Sequence, residues 1–431
     1  MKKITLGCIA DDLTGATDLA NNLVRAGMRV VLTVDVPGHD EGIDADAVVI
    51  ALKSRTIPAV EAAKQSLQSC RWLRRQGARQ IYFKICSTFD STLHGNIGPV
   101  IEALMDELDC DFSVVVPAFP DNDRTVFKGH LFVGNVLLSD SGMRNHPLTP
   151  MTDSNLVRFL QTQLAPNSGR KVGLIDYRNV AHSSSAIVRR IDELRCEAVS
   201  IAIADAVSNE DLNTLAVALH SAPFVTASSG LGVSLPAQWG FTPSPKSSEL
   251  PRAGGRRAII SGSCSAATNT QVLEFIHKGG ASLALDPVQL ASSYDVQIEK
   301  ALSWADSFWT VNSALPLLVY STAEAAAVQL THAALGVERS GGIVERALSD
   351  VARSLVARGA AQLVVAGGET AGVCVRALNV QQMLIGPQID PGVPWCYATS
   401  TGNGASGLHL ALKSGNFGSR NFFTNAFTLL E

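Results

Sequence analysis

The chain has 431 residues, with 35 basic and 39 acidic side chains (net charge −4), 46% hydrophobic residues and only 17% charged ones. That length predicts two or three domains with large cores and excludes a globally disordered chain. The mild acidity excludes a protein built to coat nucleic acid, and no uncharged apolar run is long enough to predict a membrane span.

The opening MKKITLGCIADDLTG places a short apolar run before two acids, so it reads as a first strand rather than a signal peptide. Strands are predicted at Ile4–Ala10, Arg29–Val34, Ala47–Leu52, Gln80–Ile85, Phe112–Val116, Lys171–Ile175, Ala198–Ile203 and Phe224–Thr226. Amphipathic segments separate several of them; Ala16, Leu19, Ala20, Leu23 and Val24 recur at helical spacing. Val- and Ile-rich strands alternating with helices predict a mostly parallel α/β sheet. Gln238–Arg257, QWGFTPSPKSSELPRAGGRR, lacks periodicity and is dense in Pro, Ser and Gly, as a linker is. After it the alternation restarts at Arg257–Ile260, Ser282–Leu285, Pro316–Tyr320, Gln362–Val365 and Val373–Ala377. The expectation is two α/β domains, 1–240 and 256–431, joined by a linker over 241–255. The eight cysteines form no C-x-x-C pair, so they read as thiols of a reducing compartment, and the expected location is the cytoplasm.

Open parallel sheets bind ligands at the carboxyl ends of their strands. After the first strand stand Asp11 and Asp12, placed to hold a cation, accept a hydroxyl proton or bond sugar hydroxyls, unless one of them or Thr14 merely caps the next helix. Arg55 follows the third strand. Lys84, Ser87, Thr88, Asp90 and Ser91 follow the fourth, a density of hydroxyls that suits a small polyhydroxylated acid. After the fifth, Arg124 and His130 are expected to face the same crevice. The second half carries different loops: Ser261, Gly262, Ser263, Cys264 and Ser265; Gly367, Gly368, Glu369 and Thr370; Gly402-Asn403-Gly404; and Gly415. Gly and Ser after strands let backbone N–H groups approach phosphate oxygens, which favours a nucleotide site. Neither a P-loop motif nor a dinucleotide fingerprint is present. Cys86 and Cys264 lie in these loops as alternative nucleophiles, with small buried packing groups the commoner role for such residues.

IADDLTGATD at 9–18, KSR at 53–55, CSTFDST at 86–92, GNIGPV at 95–100, GHLFVG at 129–134 and MRNHPLTPMTDSNL at 143–156 resemble the four-carbon acid sugar kinases. So do SGSCSAAT at 261–268, GGETAG at 367–372, IGPQIDPGVPW at 385–395 and LALKSGNFG at 410–418. Within that family CSTFDST resembles the branch acting on 3-oxo-tetronate at C4, whereas threonate and erythronate kinases carry an Arg-Gly where this chain has Leu93-His94-Gly95. The resemblance implies a sugar-acid domain, an ATP domain and an active site in the interdomain cleft. It implies substrate contacts from Asp12, Arg55 and the Lys84–Thr92 loop; Asp11, beside Asp12, is a further substrate-binding candidate, and Arg124 carries less weight. Asp12 or Asp90 is the catalytic candidate. ATP contacts fall on Ser261–Ser265, Gly367–Thr370, Gly404 and Gly415. Mg²⁺ is expected with the nucleotide, with Asp11, Asp12 or Glu369 as direct or water-mediated ligands, and a homodimer is one assembly compatible with the chain. A sugar-acid sensor without catalysis is the alternative from another class.

Overall fold

The computed structural model describes residues 4–38, 42–146, 148–400 and 407–430 and divides the chain into two compact units, 1–247 and 248–431. The segment expected as a linker is thus shared: Thr242 packs against Gly27, whose hydrogen occupies space a side chain would need.

The first unit opens with β1 (Leu6–Ala10), α1 (Leu13–Arg25), β2 (Val30–Val34), β3 (Ala47–Ala51), α2 (Ala59–Arg75), β4 (Gln80–Lys84), α3 (Ile97–Glu107) and β5 (Ser113–Val116). A short antiparallel sheet of β6 (Arg124–Phe127), β7 (His130–Val133) and β8 (Val136–Leu137) follows, then α4 (Leu156–Gln161). The unit ends with β9 (Val172–Ile175), α5 (Tyr177–His182), α6 (Ser184–Cys196), β10 (Ile201–Ala204), α7 (Asn209–Leu219), β11 (Phe224–Ala227) and α8 (Leu231–Ser234). Its main sheet runs β2-β3-β1-β4-β11-β5-β10-β9, parallel throughout. β1, β3 and β4 are buried on both faces, so they read as unbroken apolar runs.

Sequence reasoning missed the small sheet. Its β6–β7 turn puts Lys128 and Gly129 at φ +52° and +73°, the backbone of a tight hairpin. The buried Asp205 carboxylate clamps that turn, accepting from the N–H groups of Lys128, Gly129 and Tyr177 at 2.8 Å each. The ladder pairs Arg124 with Val133 and Phe127 with His130. Arg124 and His130 therefore sit at opposite ends of the hairpin, and the expectation that they share a crevice is corrected.

The second unit contains β12 (Arg256–Ser261), α9 (Ala266–His277), β13 (Ala281–Ala284), α10 (Pro287–Val311), β14 (Leu317–Tyr320), α11 (Ala325–Leu335) and α12 (Val337–Ala357). They are followed by β15 (Ala360–Ala366), α13 (Gly368–Ala377), β16 (Gln382–Asp390), β17 (Val393–Ser400), β18 (Leu408–Lys413) and α14 (Phe422–Asn425). β13, β14, β12, β15 and β18 run parallel in that order; β17 and β16 continue the sheet antiparallel. Val373–Ala377, expected as a strand, is the second half of α13. The helix buries Thr370, Ala371, Cys374 and Val375 on one face, and so short an apolar stretch has too few turns to display helical periodicity. Among the described residues no helix is long and apolar enough to cross a membrane.

Candidate functional site

In the first unit β1, β3 and β4 are neighbours, so the loops leaving their carboxyl ends meet. Arg55 reaches both acids that follow β1. Its Nε and Nη2 donate to the two oxygens of Asp11 at 2.9 Å each, and Nη2 also donates to Asp12 Oδ1 at 2.5 Å. Nη1 lies 3.6 Å from Asp90 Oδ2, on the loop after β4. Three carboxylates thus converge on one guanidinium, whose planar fork suits that bidentate arrangement.

Asp12 also caps α1: Oδ1 accepts from Gly15 N–H at 3.2 Å and Oδ2 from the Thr14 hydroxyl at 2.7 Å. The capping role weighed from sequence is therefore real, and the side chain does both things. Desolvation pushes its carboxyl up, but Arg55, Lys84, the Thr14 hydroxyl and Gly15 N–H together bring it down to about 2. Burial holds Asp11 above the usual carboxylate range despite Arg55. Against its own burial, Arg55 is kept well above its ordinary value by Asp11 and Asp12. Lys84, at the end of β4, is buried and donates from Nζ to Ile85 O at 2.8 Å.

The loop after β4 orders its own acid. The Thr88 hydroxyl donates to Asp90 Oδ1 at 2.5 Å, and Cys86 Sγ lies 3.0 Å from Thr88 Oγ1. Oδ1 is held by Thr88, and Oδ2 faces Arg55 Nη1 at 3.6 Å, too long for a hydrogen bond, so its lone pairs are not spent on that contact. Burial first, then the Asp90 charge, pushes the Cys86 thiol up to about 11, so it is a protonated packing group and not a nucleophile. Ser87 is half-buried beside it. Ser91 is buried and accepts from Gln163 Nε2 at 3.0 Å, so this hydroxyl braces the loop from within. Arg124 donates to Asn122 O in its own turn.

Sequence reasoning missed Asp18, one helical turn beyond Thr14. It is buried, and desolvation outweighs Lys84 and Ser229 to push its carboxyl up to about 6. The only signal was a polar residue on the apolar face of α1.

In the second unit three loops pack together. Gly262 N–H donates to Ala366 O and Gly367 N–H to Lys413 O, at 3.0 and 2.8 Å, so β12, β15 and β18 end in register. Ser261 is buried, its hydroxyl 2.7 Å from Thr322 Oγ1. Ser265 caps α9, accepting from Thr268 N–H at 3.2 Å, and its hydroxyl donates to Gly415 O at 2.5 Å. Close approach explains the glycines. A Cβ on Gly262 would lie 2.4 Å from Thr370 Oγ1, and one on Gly415 would lie 2.5 Å from Ser263 Oγ. Gly367 has φ +122°, a conformation side chains resist, and its Cβ would stand 3.2 Å from Ser263 N. Gly368 and Glu369 begin α13 exposed, and Thr370 is buried behind them. The N-termini of α9 and α13 thus stand beside one another, an arrangement whose first-turn N–H groups can receive phosphate. Gly404 and its Gly402-Asn403 neighbours lie outside the described residues. Among the described residues no three His, Cys, Asp or Glu side chains gather as a metal-binding group.

The first unit matches a family model described as a sugar-binding N-terminal domain over residues 6–235. The second matches one described as a nucleotide-binding C-terminal domain over residues 258–423. The chain is 51% identical over 433 residues to a 3-oxo-tetronate kinase of Cupriavidus necator, covering 99% of this chain and 97% of that one. It is 50% identical over 433 residues, with the same coverage, to a 3-oxo-tetronate kinase of Pseudomonas savastanoi pv. phaseolicola. A crystal structure of a Haemophilus influenzae protein superposes with TM-score 0.82 at 40% identity, over 99% of this chain and all of the other.

Proposed function

We propose, from the premise that this chain belongs to the family pairing a sugar-binding N-terminal domain with a nucleotide-binding C-terminal domain, that it transfers the γ-phosphoryl group of ATP to the C4 hydroxyl of 3-oxo-tetronate. The observation that carries the reading is the half-identity, over nearly the whole chain, to two proteins named 3-oxo-tetronate kinase; the C4 position is the finer part of the proposal.

Phosphoryl transfer asks a protein for positioning and charge neutralisation more than covalent chemistry. Asp90 is the group we assign to accept the C4 proton, because Thr88 fixes its Oδ1 while the long 3.6 Å contact of Oδ2 with Arg55 leaves that oxygen able to accept. Asp12, held at about 2, is a weak proton acceptor; its work is to fix Arg55 and accept a substrate hydroxyl. Arg55 is spent on three carboxylates, so it positions them rather than holding the substrate's carboxylate. Lys84 uses one donor on Ile85 O, which leaves two for the substrate's acid group. The N–H groups of Ser263, Cys264 and Gly368 supply the phosphate cradle. Mg²⁺ would neutralise charge on the transferring phosphate and takes one or two protein carboxylates at most. Asp11 and Asp12 fit it poorly, being committed to Arg55; Glu369, exposed at the start of α13, fits a direct or water-mediated contact.

The test is a panel of four-carbon sugar acids with coupled detection of ADP. Much higher kcat/KM for 3-oxo-tetronate than for threonate or erythronate supports the reading. Equal or reversed efficiencies contradict the substrate, and no ADP with any acid contradicts catalysis.

A further inference from the structure

The end of β18 carries a lysine to which the kinase reading gives no role. Lys413 is wholly buried. Its Nζ donates to Thr268 Oγ1 at 2.9 Å, Ser414 O at 3.0 Å and Gly415 O at 3.1 Å, so all three donors meet neutral oxygens. Among the described residues no negative charge answers it. The elements packed around it carry His277 and Glu274 on α9, the latter paired with Arg420 and Lys278; Glu369, Cys374 and Arg376 on α13; Cys396 and Tyr397 on β17; and no titratable side chain on β15, while its own strand carries His409. Burial alone acts on the ammonium, pushing it down to about 7. A buried cation without a counter-charge is unfavourable unless something else compensates it.

The carbonyls it holds say what that is. Across a trans peptide the C=O and N–H point in opposite directions. Drawing Ser414 O and Gly415 O toward Nζ therefore turns the N–H groups of Gly415 and Asn416 away from the strand end, and neither donates to a protein acceptor among the described residues. Gly415 packs on Ser263, and Ser263 N lies beside Gly367, so these outward amides join the two helix N-termini. We propose that Lys413 is a positioning residue for the phosphates of the bound nucleotide: it aims the Gly415 and Asn416 amides from behind, and its charge is balanced only when an anion occupies the cradle. The inference rests on the reading that the second unit binds ATP.

The experiment compares wild type with Lys413→Met and Lys413→Gln, using titration calorimetry of ADP with Mg²⁺ at several values between pH 6 and 8.5, and of the sugar acid separately. ADP titrates too, so the informative quantity is the ratio of variant to wild-type Kd at each pH. The ratio is expected to be ~10-fold or more near pH 6, where the ammonium is charged, and to fall toward pH 8.5 as it loses its proton, staying above one because the neutral amine still donates to the carbonyls. Sugar-acid affinity stays unchanged and Tm does not fall, because the uncompensated charge is gone. The Gln variant, which keeps a hydrogen-bond donor, carries the test if Met disturbs folding. A ratio near one at every pH, or a large ratio that does not move with pH, overturns the proposal. A wild-type protein that binds no ADP overturns the nucleotide reading itself.

Discussion

Replacing Asp90 by Asn removes the proposed proton acceptor with little change of shape. The Thr88 hydroxyl still donates to the amide oxygen, so the loop keeps its 2.5 Å contact. Arg55 loses only its longest partner, at 3.6 Å, and keeps Asp11 and Asp12, so no buried charge is orphaned. A partly open ion pair of that length contributes less than about 1 kcal/mol, which sets the expected shift in Tm at a few degrees. Catalysis should suffer far more. A positioned acid–base group supplies ~10²–10⁴ in rate, or ~3–5 kcal/mol of barrier. The assay is coupled ADP release across a range of 3-oxo-tetronate concentrations, with the fall expected in kcat more than in KM. Turnover within a few-fold of wild type, or a loss that tracks a collapse in Tm, refutes the assignment of the proton to Asp90.

Asp12→Asn should cost only ~10-fold, mainly in KM, because asparagine caps a helix well and a carboxyl at about 2 is a poor base; steady-state kinetics separate it from Asp90→Asn. Asp18 titrates near pH 6 in the folded chain against 3.8 in the reference state. The folded chain thus holds that proton to higher pH than the unfolded one, and stability is lost as pH rises from about 4 to about 6. Asp18→Asn should therefore raise unfolding free energy at pH 7.5, by on the order of 2 kcal/mol, and leave it unchanged at pH 3.5; denaturant melts at the two pH values check it. Gly367→Ala forces a side chain onto φ +122° with its Cβ 2.9 Å from Thr370 Oγ1. It should cost ~1–3 kcal/mol of stability and raise KM for ATP while sparing sugar-acid affinity, read by thermal melts and calorimetry.

Much of this was legible because parallel strands buried on both faces write themselves as apolar runs. β1, β3 and β4, and hence the loops bearing Asp11, Arg55 and Asp90, follow from that pattern alone. β16 and β17 do not, since Gly386, Pro387 and Pro394 interrupt their apolar residues and the ladder shifts register there. The hairpin after β5 is held by Asp205, 76 residues beyond Gly129, a contact no local pattern contains. Arg55 reads as a free cation for a substrate carboxylate until three aspartates are seen to claim it. Lys413 stands in the sequence only as part of LALKSGNFG, and its complete burial is visible only in the fold.

The central claim is a phosphoryl group placed on C4 of a 3-oxo sugar acid, and the product shows it directly. Incubation of the protein with ATP, Mg²⁺ and 3-oxo-tetronate, followed by ³¹P nuclear magnetic resonance with proton coupling, is predicted to give a phosphate monoester split by the two C4 protons. A phosphate coupled to the single C2 proton, or inorganic phosphate alone, would contradict it.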